Sequence, residues 1–407
     1  MQHQRIPALL KGMLAFAVLA AVGTSPALAQ TASQSRVDAT AETPLYRPVK
    51  CKERKAYNGR KPYFRTIESR ADFAPLGGTA LPTADAAALD RAFGEAQRNA
   101  KAKAMTVALA WPDGRLWQKS SETPERLFYW ASATKTFTAV VALQLVEEKR
   151  LSLDDRLAKW QPDLPNAEHI TVRDLLQHTS GLFSANEDPE WRANGQRSLT
   201  ARQHDDILKD RGAMFCPGQY WRYSNSGYTL LGRIVEAVEN RPFADVVQTR
   251  IIDRLGLAQT VIVSPANLDR IVPLATDGEE PVLDITGPGT AGPVAASAGD
   301  MARFWAALLN DRLVSAETRQ QMFAELLPMF DVTTYYGLGA MLVDAPAAVG
   351  RLIMLGHYGG APGVSAWIGY DVNRRMIVTV ALTGDGSSTA VANYMLKAGE
   401  KAQGANR

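Results

Sequence analysis

Apolar positions along the chain fall into two regimes. Near each end they come as short runs bounded by turn signals, and in between they recur at helical spacing. Residues 84–100 set Leu89 and Phe93 four apart on one face, which predicts a helix. Residues 105–110 and 116–118 flank Pro112-Asp113-Gly114 and predict a hairpin. Residues 134–148 are strongly apolar and predict a buried helix. Further helical patterns run from about 150 to 335, among them 226–237 and 300–309, the second opened by a capping box of Ser297 and Asp300. Residues 365–372 and 376–382 then flank Asn373-Arg374-Arg375 as a second hairpin, and 389–401 predicts a closing helix. Strands at both ends with helices between predict an α+β fold whose one sheet is built from both termini. The expected division is 81–150 with 336–407 for the sheet domain, and 151–335 for a mostly helical domain.

The amino terminus reads differently. Arg5 and Lys11 precede an apolar run over residues 12–23, and Ala27-Leu28-Ala29 follows as a small-x-small cleavage site. That order is the pattern of an export signal cleaved after Ala29, which predicts a periplasmic or secreted protein. No later stretch approaches the roughly 18 apolar residues of a membrane span, so no transmembrane anchor is expected. The 407 residues are 46% hydrophobic and 21% charged, which sets aside disordered and fibrous classes. The net charge of +3 falls to +1 once Arg5 and Lys11 are removed, too mild for a nucleic-acid binder.

Within residues 47–65, Arg47, Lys50, Lys52, Arg54, Lys55, Arg60, Lys61 and Arg65 face only Glu53. The polar extension 30–80 that carries them is expected to wrap the main domain, with weak contact to an anionic envelope polymer as its second reading. Cys51 and Cys216 cannot form a four-thiolate metal site. In an oxidising compartment they either pair, tying the extension to the middle of the chain, or stand as two separate thiols.

The usual reaction signatures are sparse. No HExxH occurs and His169, His178, His204 and His357 are scattered, so neither metal nor cofactor is expected. Gly287-Pro288-Gly289-Thr290-Ala291-Gly292 fits G-x-G-x-x-G, but Pro288 within it and Pro293 after it make it a turn-rich loop. Ser132-Ala133-Thr134-Lys135 stands out at the head of the apolar helix. At i and i+3, Ser132 and Lys135 share one face. The helix start and burial both disfavour the ammonium form, so one turn can supply a nucleophile and its base. Tyr223-Ser224-Asn225 offers a phenol to relay a proton and an amide to hold a carbonyl. Gly356-His357-Tyr358-Gly359-Gly360 offers a glycine-lined strand whose backbone a substrate can approach.

Together these three motifs resemble the beta-lactamase-like serine hydrolases, which include class C beta-lactamases, serine DD-carboxypeptidases, D-aminopeptidases and esterases. That superfamily carries S-x-x-K, Y-x-N and then K-T-G or H-x-G in this order. Residues 170–182, 220–232 and 356–363 are similar to the stretches around its motifs, and the resemblance covers about 80–400. It implies a five-stranded antiparallel sheet flanked by helices, beside a mostly helical domain. It also implies Ser132 as the acylated nucleophile, Lys135 as its base and Tyr223 as the proton relay. Asn225, His357, Gly359 and Gly360 would line the substrate, with the amides of Ser132 and Gly360 as the oxyanion hole. Tyr358 departs from the Thr or Ser usual at its position, whose hydroxyl helps hold a substrate carboxylate, and together with His357 it inclines the expectation toward an esterase or a DD- or D-amino-acid peptidase acting on a small ester, amide or peptide. A beta-lactamase, a non-catalytic penicillin-binding-like protein and an envelope binder are the alternatives. His178 falls in a structural stretch of the relatives and receives no chemistry.

Overall fold

Leu89, Ala92, Phe93 and Ala96 form the buried stripe of α1 (Thr83–Ala100), which stops where Lys101 turns left-handed at φ 52°. The first hairpin follows as β1 (Ala104–Ala110) and β2 (Leu116–Ser120). Every residue of β1 is buried, because Met105, Val107 and Leu109 meet one layer while Ala108 and Ala110 meet the other. A strand covered on both faces reads as an unbroken apolar run, which is how it appears in the sequence. The computed structural model describes residues 49–193, 197–276, 278, 283–346 and 351–404. The export signal expected at 1–29 and the start of the extension lie outside the described residues.

After β3 (Phe128–Tyr129) a 3-10 turn at Ala131–Thr134 leads into α2 (Lys135–Glu147), whose buried positions encircle it. The helical part follows with α3 (Val172–Gln177), α4 (Ala201–Arg211) and α5 (Asn225–Glu239). The chain continues through β4 (Thr260–Ile262), β5 (Val294–Ala296) and α6 (Ala298–Leu309). It closes with β6 (Leu327–Pro328), β7 (Thr334–Tyr336), β8 (Met341–Pro346), β9 (Arg351–Ala361), β10 (Val364–Asp371), β11 (Met376–Thr383) and α7 (Ser388–Gly404).

The main sheet is antiparallel in the order β2-β1-β11-β10-β9-β8-β7-β6. The two ends of the chain meet where β1 pairs with β11, Val107 opposite Val380. α1 and α7 cover one face. The other face receives α6, where Thr379 Oγ1 donates to the Ala298 carbonyl at 2.8 Å. Among the described residues, eight strands rather than five make up the sheet. The three added ones, β6 to β8, come from residues 327–346 and include two- and three-residue strands too short to show a period of two. A second, three-stranded sheet joins β3, β5 and β4. The capping box of α6 is only half formed. Ser297 Oγ accepts the Asp300 amide, but the Asp300 carboxylate takes Gln259 N–H at 2.7 Å and Thr260 Oγ1 at 3.1 Å, tethering β4 instead.

The basic extension wraps the helical part as a strap. Cys51 and Cys216 are joined by a disulfide. Arg54 donates twice to Asp174, at 2.8 and 3.1 Å, and that carboxylate is wholly buried. The Lys55 and Asn58 amides donate to the carbonyls of Pro217 and Gln219, and Arg60 donates to those of Met329 and Asp331. Part of the positive charge concentrated there is therefore consumed inside the protein. Among the described residues no helix is long and apolar enough to cross a membrane.

Candidate active site

Ser132 lies in the 3-10 turn rather than in the helix proper, one residue after Ala131, which holds a left-handed φ of 46°. Thr134 Oγ1 secures that backbone by donating to the Ala131 carbonyl at 2.8 Å. Ser132 is half-buried, and Lys135 opens α2 directly beneath it.

Lys135 is wholly buried. Its Nζ lies 2.6 Å from Asn225 Oδ1, 2.6 Å from the Ala291 carbonyl and 3.0 Å from Ser132 Oγ. Two of these three neighbours can only accept a hydrogen bond. A neutral amine, with two N–H groups and one lone pair, fits them by donating to both and accepting from the serine hydroxyl. Burial holds the Lys135 pKa well below its ordinary value, which favours that neutral form. The rings of Tyr223 and Tyr228 flank the amine at 5.0 and 5.4 Å.

Tyr223 hydrogen-bonds the Ser132 side chain, and its own burial raises its pKa, keeping the phenol protonated. A group that burial pushes toward the free base and a group that burial keeps as an acid therefore flank one hydroxyl. The loop that carries Tyr223 is positioned by the stretch 178–184. His178 accepts the Ser224 amide on Nδ1 at 3.2 Å and the Arg222 amide on its carbonyl at 3.0 Å, so it grips both sides of Tyr223. Its ring also lies 4.2 Å from the Tyr223 ring, centroid to centroid. Ser184 Oγ accepts the Asn225 amide at 3.1 Å, fixing the start of α5.

Gly359 crosses Ser132 so closely that a Cβ there would stand 2.2 Å from the Trp130 carbonyl and 3.2 Å from the Ser132 amide. The Tyr358 amide points away from β10 toward Met341 Sδ at 3.5 Å. Strand alternation puts the Gly360 amide on that same open edge, which β8 leaves uncovered beyond the Met341–Gly356 pair. Gly360 is exposed and Gly359 buried.

His357 departs from the substrate-lining position expected of it. It lies within β9 with its side chain wholly buried, and both ring nitrogens are engaged. Nδ1 faces the Tyr358 carbonyl at 2.6 Å and so carries the proton, while Nε2 lies 2.9 Å from Tyr336 Oη. Burial, with Lys135 nearby, holds its pKa down to about 3. Its ring supports the site through Tyr336, which in turn touches Tyr228 Oη at 3.2 Å. Tyr358 folds over Gly360 and hydrogen-bonds Ser365.

Three contributors come from outside the three motifs. The Ala291 carbonyl comes from the loop set aside as turn-rich, and a backbone acceptor leaves no trace in residue type. His178 grips the Tyr223 loop from a stretch that carries none of the three motifs. Tyr336 comes from a strand that was not anticipated.

Residues 89–400 match the Beta-lactamase family. A penicillin-binding protein of Bacillus subtilis (strain 168) is 29% identical over 300 residues, covering 67% of this chain and 64% of that protein. Penicillin-binding protein 4 of Amycolatopsis lactamdurans is 30% identical over 301 residues, covering 66% of this chain and 74% of that one. The crystal structure of a D-stereospecific amidohydrolase from Streptomyces sp. is similar with a TM-score of 0.64 at 28% identity, over 75% of this chain and 96% of that chain. This chain thus spans just under two thirds of the first of these relatives.

Proposed function

The chain belongs to the beta-lactamase family of serine hydrolases, and from that premise we propose that it is exported, forms an acyl-enzyme on Ser132 and hydrolyses small esters or amides. One observation carries the reading: a buried amine is held between two obligate acceptors, with Ser132 Oγ as its third neighbour. Lys135 takes the hydroxyl proton as Oγ attacks the substrate carbonyl. The oxyanion that forms is met by the amides of Ser132 and Gly360. As the bond to the leaving group breaks, Tyr223 gives that group its phenolic proton and recovers one from Lys135, so one proton leaves with the product and both side chains return to their starting forms. Water then attacks the ester by the reverse route. Asn225, with Oδ1 committed to Lys135, retains its NH2 group for a substrate carbonyl.

The type we favour is an esterase or a D-amino-acid amidase or peptidase. The Streptomyces relative is a D-stereospecific amidohydrolase. Tyr358 is turned onto Ser365 rather than offered to a substrate carboxylate, which counts against a beta-lactamase. The disulfide supports export, because such bonds persist in oxidising compartments.

A serine-reactive fluorophosphonate should label the wild-type protein and not Ser132→Ala, with turnover of p-nitrophenyl esters and D-amino-acid amides lost in parallel. Undiminished turnover by Ser132→Ala overturns the assignment. Amino-terminal sequencing of protein recovered outside the cytoplasm should begin at Gln30.

A further inference from the structure

An aromatic run leads outward from the nucleophile. Tyr223, hydrogen-bonded to Ser132, is followed by Trp221 at 6.4 Å between ring centroids, and Trp221 by Phe330 at 5.5 Å and 82°. Met329 and Met341 belong to the buried cluster against which Trp221 and Tyr223 pack. At its outer end Phe330 is 56% exposed. An exposed phenyl ring on a floating loop would be unremarkable, but this one is not floating. Arg60 donates to the carbonyls of Met329 and Asp331, the residues on either side of it. The loop leading to Trp221 is fastened as firmly, by the Cys51–Cys216 bond and by the Lys55 and Asn58 amides on Pro217 and Gln219. One strap, residues 51–60, thus staples together the two loops that supply the wall.

We propose that this wall is the subsite for the departing half of the substrate, and that it takes an aromatic alcohol or amine. The assignment rests on the reading of Tyr223 as the proton donor. The group that receives the Tyr223 proton must stand beside that hydroxyl, and under this assignment what extends beyond it runs along Trp221 toward Phe330. A rigid apolar surface continuous with a reaction centre binds an apolar group, and edge-to-face ring pairs reward a flat one. Preorganisation by the strap removes the ordering cost such a contact otherwise carries.

Benzyl and methyl esters of one N-acyl amino acid test this, because their leaving alcohols differ little in acidity. The wild-type kcat/KM should favour the benzyl ester by about ten-fold or more. Trp221→Ala and Phe330→Ala should each cut that benzyl-to-methyl ratio by about three- to ten-fold. Arg60→Ala, which frees the loop without touching the wall, should lower the same ratio. A wild-type ratio near one, or a ratio unmoved by both ring deletions, overturns the subsite. Binding to Ser132→Ala reads the subsite without chemistry. That protein should bind the benzyl ester at least about five-fold more tightly than the methyl ester, and Ser132→Ala with Phe330→Ala should lose the difference. Equal binding there overturns the subsite even if turnover depends on Ser132. Turnover that survives Ser132→Ala instead overturns the acyl-enzyme reading.

Discussion

Truncating Lys135 to alanine probes the site at its centre. The side chain is wholly buried, and its removal strips the donor from Asn225 Oδ1 and from the Ala291 carbonyl, each now at 2.6 Å. A buried acceptor left unpaired costs about 1–3 kcal/mol, so the protein should lose stability by a few kcal/mol, offset in part because an amine is no longer buried. The catalytic loss is separate and larger: a general base contributes about 10²- to 10⁴-fold. The space left opens on Ser132 and has the shape of a short alkylamine. Measured with a p-nitrophenyl ester, ethylamine or propylamine should restore kcat/KM saturably, in proportion to the free base rather than to total amine. A variant keeping more than about a tenth of wild-type kcat/KM refutes the base assignment, as does rescue that ignores amine protonation. The pH dependence has a fixed sign. The folded chain releases the Lys135 proton well below 10.5, whereas the unfolded chain keeps it up to about that value. The unfolded state therefore binds more protons in that window, and stability rises with pH across it. Denaturant midpoints should show this rise in the wild type and a flatter profile in Lys135→Ala. The wild-type rate should climb only at the acid end of that window, as folded Lys135 loses its proton, and stay level above it, where Tyr223 remains protonated.

Three further outcomes follow from particular contacts. Tyr223→Phe should slow amide hydrolysis by about 10²- to 10⁴-fold and p-nitrophenyl ester hydrolysis far less, since nitrophenolate leaves without a proton; equal losses on the two substrates would rule out the acid role. Gly359→Ala drives a Cβ to 2.2 Å from the Trp130 carbonyl, so β9 must retreat from Ser132. A fall in kcat of about 10²-fold or more and a loss of about 1–3 kcal/mol in denaturant titrations are expected, and a variant with wild-type kinetics would show that the close approach is dispensable. Cys51 and Cys216 stand 165 residues apart, for which loop entropy sets an upper scale of about 5 kcal/mol. Serine at both positions should lower the unfolding midpoint by the equivalent of about 2–4 kcal/mol, and an unchanged midpoint would mean the bond adds nothing to the folded state.

What could be read from the residues alone divides along physical lines. Ser132, Lys135, Tyr223 and Asn225 act through side chains whose type and spacing survive in one dimension, and the fold brings the four together. The long elements are legible because each buries many apolar residues, as a stripe at helical spacing in α1 and as near-continuous apolar runs in α2, α6, β10 and β11. β6 and β7 span two and three residues, and β3 only two, so their pairing is dictated by the strands beside them rather than by any pattern of their own.

Backbone contributions are hidden more deeply. The Ala291 carbonyl fixes which way the Lys135 lone pair points, yet any residue could supply it. The loop that holds it is set by Thr290, whose hydroxyl donates to the Tyr228 carbonyl and whose side chain lies where a Cβ on Gly232 would stand. A larger residue at Gly232 would therefore push on Thr290 and move the acceptor of the neighbouring residue, turning Lys135 without touching it. His357 makes the complementary case, being a conspicuous residue in a conspicuous motif whose ring nitrogens both face inward. Its type announced chemistry, and its burial assigns it to holding Tyr336. Residue type states which reactions a side chain can perform, and only the path of the backbone decides whether it meets a substrate.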